Sequence, residues 1–195
     1  YAKALHYWQH RHGFCGVCGS PNQLHSSGHK MVCSNEECMR QSFPRIDPAI
    51  IVLVTQGNAC LLGRNSAWPE KRFSTLAGFV EPGESLEDAV VREVFEESRV
   101  RLKEIRYISS QPWPFPASSM CGFYAEAETR TCAPSNEMAE LRWFTVDELA
   151  EAVRTGAVLL SPPVSIAFRL LADWYKQQGG GDLERVIGTA HGNAP

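Results

Sequence analysis

Between Gly78 and Val100 the chain reads GFVEPGESLEDAVVREVFEESRV, a glycine-containing turn running into a helix that carries three glutamates on one face. Ser85 suits the N-cap, with Asp88 at the capping-box position, so the spacing predicts a helix from Leu86 to about Ser98. At 3.6 residues per turn, Glu93, Glu96 and Glu97 fall within an arc of roughly 100°. Leu86, Ala89 and Val90 share that arc one or two turns earlier. A face that begins apolar points into the protein, so this one carries its closing carboxylates inward.

Like charges at these spacings cost about 0.2–0.5 kcal/mol each on an exposed helix, and more where water is scarce. Most acidic helices are simply solvated, and here Arg92 and Arg99 could serve Glu96 as ordinary ion-pair partners. The inward phase favours a bound cation instead. Hard divalent ions take carboxylate oxygens and keep positions open for substrate phosphates. The 195 residues leave room for one ordinary domain and a small appendage. No apolar run approaches the ~18 residues of a membrane span, so no membrane partner is expected. The amino terminus lacks the charged, apolar, then small order of a secretory signal. A net charge of −3 gives no global attraction to nucleic acid, leaving only local contacts.

The same segment resembles the Nudix box, G-x5-E-x7-R-E-U-x-E-E-x-G-U with U a bulky apolar residue. Gly78, Glu84, Arg92, Glu93, Val94, Glu96, Glu97 and Val100 stand at its spacings. One position departs: Arg99 replaces a glycine suited to a left-handed helix C-cap, at some expected loss of stability but no loss of a metal ligand.

A second motif lies upstream. Cys15-x2-Cys18, fourteen residues, then Cys33-x4-Cys38 reads as a four-thiolate zinc site, closed and therefore structural. His25 and His29 are alternative ligands in the intervening loop. Seven cysteines, four of them in metal spacing, suit a reducing cytoplasm better than a disulfide framework. Cys60 and Cys121 read as small core residues, and Cys132 has no assigned role. Tyr1 to Gly13 reads as an amphipathic helix. The chain opens inside that pattern without Met, so an upstream region is expected.

The rest reads as an α/β (α+β) domain. Phe43 to Pro48 is a proline-stiffened linker. Ala49 to Val54 is a central strand, turned at Gln56-Gly57-Asn58 and returned from Cys60 to Gly63. Strands are expected over 73–80, 105–110, 122–127 and 141–144. A Thr145/Glu148 capping box opens one helix, to about Arg154, and Ser161-Pro162 another, to near Gly179. The expected organisation is a helix and ribbon over 1–46, a catalytic domain over 47–179 and a mobile tail over 180–195.

Downstream of the box, Ser110-Gln111-Pro112-Trp113-Pro114-Phe115-Pro116-Ala117-Ser118 resembles the SQPWPFPxS array of the NADH pyrophosphatase subfamily of Nudix hydrolases. The ribbon and the FPRIDP linker resemble it too. A rigid proline-aromatic loop can simply pack as core, yet it also presents a preset stacking surface at little entropic cost. The resemblance implies an α/β/α sandwich with a mixed sheet behind a small zinc ribbon. It also implies hydrolysis of NAD(H) to NMN(H) and AMP, removal of NAD caps from RNA 5′ ends, Mg²⁺ or Mn²⁺ at the catalytic site, one structural Zn²⁺, and a homodimer.

Carried over by position, the metal ligands are Glu93, Glu97 and the Ala77 carbonyl, with Glu96 close. Glu137 is the further glutamate, and Glu140 its fallback. Glu97 or Glu93 is the general base. Phe43 and Phe79 flank the nicotinamide nucleotide, Gln111 to Ser118 line the pocket, and Ala167 touches substrate. Arg92 orients the glutamates and Glu84 holds the loop. Gly28 stands where some members make a polar contact, so none is expected there. Two competing readings are a Nudix hydrolase of broader dinucleotide range (ADP-ribose, diadenosine compounds) and a zinc-ribbon binding protein with an inactive Nudix domain. Lys3, Arg11, Lys30, Arg40 and Arg45 make the ribbon region mildly basic.

Overall fold

The computed structural model describes residues 1–192, with side chains to Gly188, and the chain separates into two compact units. One comprises Tyr1–Pro48 and Pro112–Ser119, the other Ala49–Gln111 and the chain from Met120 on.

In the first unit, helix α1 (Ala2–Arg11) buries Trp8. Strands β1 (Asn22–His25), β2 (Lys30–Cys33) and β3 (Gln41–Ser42) follow as an antiparallel meander. Gly28 closes the turn between the first two with φ +85°, and a Cβ there would stand 2.6 Å from Gln9 Nε2. That amide instead donates to the Gly28 carbonyl at 2.9 Å, so close backbone approach explains the glycine.

The second unit is a sandwich. β4 (Asp47–Gln56), β5 (Ala59–Asn65), β6 (Leu76–Phe79), β7 (Leu102–Trp113), β8 (Ser118–Ala127) and β9 (Met138–Thr145) form one sheet, in order β7-β8-β4-β5-β9 with β6 paired to β4. Along β4, Ile50, Val52 and Val54 enter one core with Ala89, Val90 and Val94 of α2 (Leu86–Ser98). Ile51 and Leu53 enter the other, beneath α3 (Val146–Arg154), α4 (Ile166–Gln177) and α5 (Leu183–Gly192). Period-2 alternation with both faces covered is why the strand reads as an unbroken apolar run. Each such side chain contributes about 1.5–3 kcal/mol by burial, so a charge at Leu53 would break the layer.

Several boundaries differ from expectation. The strand expected over 73–80 is shortened to Leu76–Phe79, because Phe73 N donates to Leu159 O and Ser74 bridges Gly63 separately. β7 and β8 run longer, absorbing both ends of the proline-aromatic string. The late helix begins at Ile166, capped by Ser165, whose hydroxyl accepts from Phe168 N. Pro163 disfavours helical geometry at Pro162, so Ser161 cannot open it. Within the expected tail the chain is helical over Leu183–Gly192. Leu183 is 1% exposed, with Val186 and Ile187 packed against the same core, an i, i+3, i+4 stripe. Residues 193–195 of that expectation lie outside the described residues.

Candidate active site

Helix α2 is built as its sequence demands. Asp88 N donates to Ser85 Oγ at 3.1 Å, and Arg99 takes the left-handed C-cap (φ 61°, ψ 10°). Its last carbonyls are used by the following loop: Ala133 N donates to Ser98 O at 2.9 Å and Ser135 N to Glu97 O at 3.1 Å. These bonds satisfy groups a helix end leaves orphaned. They also fasten the segment bearing Glu137 to the carboxylate end of α2, a link no local sequence signal announces.

On the side facing β6, Gly78 leaves room for Glu93. A Cβ at Gly78 would lie 1.8 Å from the Glu93 carboxyl carbon. Arg92 ties the box together. Its guanidinium donates to both oxygens of Glu84 (2.8 and 2.9 Å), to the Phe79 carbonyl (2.9 Å), to Glu93 (2.8 Å) and to Glu96 (3.1 Å). Glu84 also accepts from Glu81 N at 3.0 Å. Bonded by Arg92 first and that amide second, its carboxyl is held down at about 2. The loop-holding and orienting geometry expected of Glu84 and Arg92 is present.

Glu97 has the opposite environment. Burial first, then the charge of Glu93, push its carboxyl up to about 8; the Ala77 backbone offsets part of this, and Glu137 and Glu96 add to it. Its Oε2 is buried without a hydrogen-bond partner. Burial also raises Glu93, against the pull of Arg92. Four carboxylates thus act on one another here, and the sole cation beside them in these bonds, Arg92, serves Glu84, Glu93 and Glu96 but not Glu97. Glu140 lies 3.9 Å from Arg64 and 3.8 Å from Arg142, while the charge of Glu137 is among those that raise Glu97. A buried Glu97 oxygen without a partner, beside the charges of Glu93, Glu96 and Glu137, is the kind of donor a hard divalent cation takes.

Phe79 adjoins this cluster through its carbonyl and leaves its ring 60% exposed. Phe43, in the first unit, is also exposed. Gln111 is committed to structure: its Nε2 donates to Val164 O at 2.7 Å and its Oε1 accepts from Ile166 N at 2.8 Å, pinning the start of α4 where Ala167 is buried. Pro112, Trp113, Pro114, Ala117 and Ser118 line a cavity of about 300 Å³ inside the first unit, with Leu5 of α1 and Pro44 and Ile46 of the linker. Phe115 stands edge-on to Trp113 at 5.4 Å, next to the cis Phe115–Pro116 bond, with the Lys3 ammonium 4.5 Å from its ring. The part played by α1 in this cavity was hidden in the sequence, where Leu5 signalled only an amphipathic helix.

The four ribbon thiols are already gathered, all sulfurs within 4.8 Å of one another, with Cys15–Cys38 at 3.8 Å and Cys18–Cys33 at 3.4 Å. A tetrahedral zinc with Zn–S bonds of about 2.3 Å needs sulfurs about 3.8 Å apart, so the set fits. The Ser20 amide and hydroxyl hold Cys18 down at about 6, favouring the thiolate.

The NUDIX domain matches residues 45–161, well over half the chain. The chain belongs to the Nudix family. Ahead of the Nudix domain, residues 10–43 match the NADH pyrophosphatase zinc ribbon domain. Among curated relatives, the NAD-capped RNA hydrolase NudC of Pseudomonas putida (strain W619) is 45% identical over 192 residues, covering 96% of this chain and 64% of that protein. The NAD-capped RNA hydrolase NUDT12 of Homo sapiens is 38% identical over 187 residues, covering 90% of this chain and 40% of that protein. The chain therefore spans between two fifths and two thirds of these relatives' lengths. A NUDIX hydrolase from Nitrosomonas europaea shares the fold, with a TM-score of 0.61 at 23% identity over 93% of this chain and 94% of that one.

Proposed function

We propose that this Nudix chain hydrolyses the pyrophosphate of NAD(H) to NMN(H) and AMP, and removes NAD caps from RNA 5′ ends. The observation that carries the reading is the unpartnered, buried Glu97 oxygen among Glu93, Glu96 and Glu137. Glu93, Glu97, Glu137 and the Ala77 carbonyl would hold Mg²⁺ or Mn²⁺, with Glu96 at the rim. When bound, such ions neutralise charge on the phosphates and acidify a water. Glu97, ionised once such cations are bound beside it, accepts the proton of the attacking water, with Glu93 the next candidate. Arg92 positions Glu93 and Glu96 and stays clear of substrate, its donors being taken. In the second unit the exposed Phe79 residue offers a face for the nicotinamide nucleotide; in the first, Phe43 is exposed as well and the Trp113 loop lines an apolar cavity.

Four thiols gathered without a disulfide among the described cysteines support zinc and a reducing, cytoplasmic setting. A homodimer is part of the same reading, to be checked by solution mass. The direct test is product analysis with NADH and Mg²⁺ or Mn²⁺, run beside ADP-ribose and a diadenosine compound. NMNH and AMP as major products support the reading. Equal rates on all three substrates would replace it with a hydrolase of broad dinucleotide range.

A further inference from the structure

Trp68 is exposed where the other tryptophans are covered. Of the five, Trp8 and Trp174 are buried, Trp113 and Trp143 half-buried, and Trp68 leaves 38% of its surface open. Hydrogen bonds anchor the segment between β5 and Phe73 that carries it. Asn65 accepts from Ala67 N through its side chain (2.9 Å) and from Trp68 N through its carbonyl (3.0 Å). Leu159 N donates to Lys71 O at 2.7 Å, and Gly63 and Ser74 exchange bonds at 2.9 and 3.0 Å across the base. Ser66 N donates to the Glu137 carbonyl at 2.8 Å. The indole is therefore two residues from an amide fastened to the backbone of the glutamate whose charge reaches Glu97.

The chemistry around the ring is cationic. The Arg72 guanidinium lies over the indole, 5.6 Å from its centroid, and Lys71 is exposed beside it. Among the described residues no other ring stacks on Trp68. Within residues 64–72, Lys71 and Arg72 stand against Glu70, while Arg64 faces Glu140, in a chain of net charge −3. An open indole backed by guanidinium, with a second cation adjacent, matches the stacking-plus-phosphate pattern that seats single-stranded nucleic acid.

We propose that Trp68 is a stacking platform for the nucleotide that follows the cap in a capped RNA, with Arg72 and Lys71 meeting its phosphate. This rests on the capped-RNA reading above. Free NADH ends at its adenosine and has no residue to place there, so the platform separates the two substrates.

The test compares wild type, Trp68→Ala, Trp68→Phe and Arg72→Ala on NADH and on a short NAD-capped oligonucleotide. Trp68→Ala should keep kcat/KM for NADH within about twofold and lose about tenfold on the capped oligonucleotide. Trp68→Phe should recover most of that loss. Arg72→Ala should weaken capped-RNA turnover and reduce the salt slope of RNA binding by about one. Equal losses on both substrates, or a loss on neither, would overturn the platform. A change in solution mass without discrimination between substrates would also overturn it, by assigning Trp68 to a protein contact. Wild type that cleaves NADH but leaves the capped oligonucleotide intact would instead fail the underlying reading, and the platform with it.

Discussion

In the ribbon, four sulfurs stand within 4.8 Å of one another, whereas the Nudix unit distributes its acids around an internal guanidinium and leaves one carboxylate oxygen buried and bare. Thiolate sulfur suits zinc, and four such ligands close a tetrahedron whose binding is coupled to folding of the ribbon. Carboxylates at neutral pH repel, so Arg92 restrains the outer ones while burial drives protonation of the inner one. A closed site holds structure together. An open site, on the proposed reading, would keep its binding energy for ions and substrate.

The largest expected effect falls on the open site. Glu97→Gln should lower kcat by at least about 10³-fold with NADH while circular dichroism and solubility stay unchanged. Near-wild-type turnover would remove Glu97 from the chemistry. Cys33→Ser should follow with loss of the bound zinc and of the first unit's protease resistance. Brief chelation of the wild type, by contrast, should abolish activity in a way that Mg²⁺ or Mn²⁺ alone restores. If added zinc were needed for that recovery, the division between closed and open sites would fail.

Gly78→Ala tests how tightly the open site is held. Its new Cβ meets Glu93, and the displacement should cost about 10²-fold in kcat with a smaller change in Tm. The pH dependence of metal-free stability comes next. Glu97 binds its proton more tightly folded than unfolded, so its contribution is present below about pH 4.5 and is lost as pH rises to about 8. Metal-free Tm should fall across that window, and saturating Mg²⁺ or the Glu97→Gln change should flatten the decline. Glu84 has the reverse sign, with stability lost as pH falls from about 4.5 toward 2.

The smallest effect belongs to Arg99→Gly. It relieves a left-handed φ of 61° but gives up the guanidinium 5.4 Å from the Phe95 ring. A net gain of about 0.5–1 kcal/mol in denaturant unfolding is expected.

Much of this was legible before any coordinates. The phase of Glu93, Glu96 and Glu97, the Ser85 and Thr145 caps and the Cys15–Cys38 spacings are local regularities, written in residues a few positions apart. Local signals failed where two candidates competed. Ser161-Pro162 looked like a helix start, but a second proline passed the cap to Ser165. The stretch from Gly180 looked polar and loose, yet Leu183, Val186 and Ile187 find a core surface that exists only once α3 and α4 have packed.

The division has a physical cause. Chain order alone determined the family motif, the four-cysteine spacing and the helix phases, because periodicity, caps and spacing act over one or two turns. Long-range packing decided the rest: that Gln111 spends its amide pinning α4, that the loop before Glu137 bonds the carboxylate end of α2, and that the Trp68 segment is tethered to the Glu137 backbone. Each depends on hydrogen bonds between residues dozens of positions apart, and no window of sequence contains both partners.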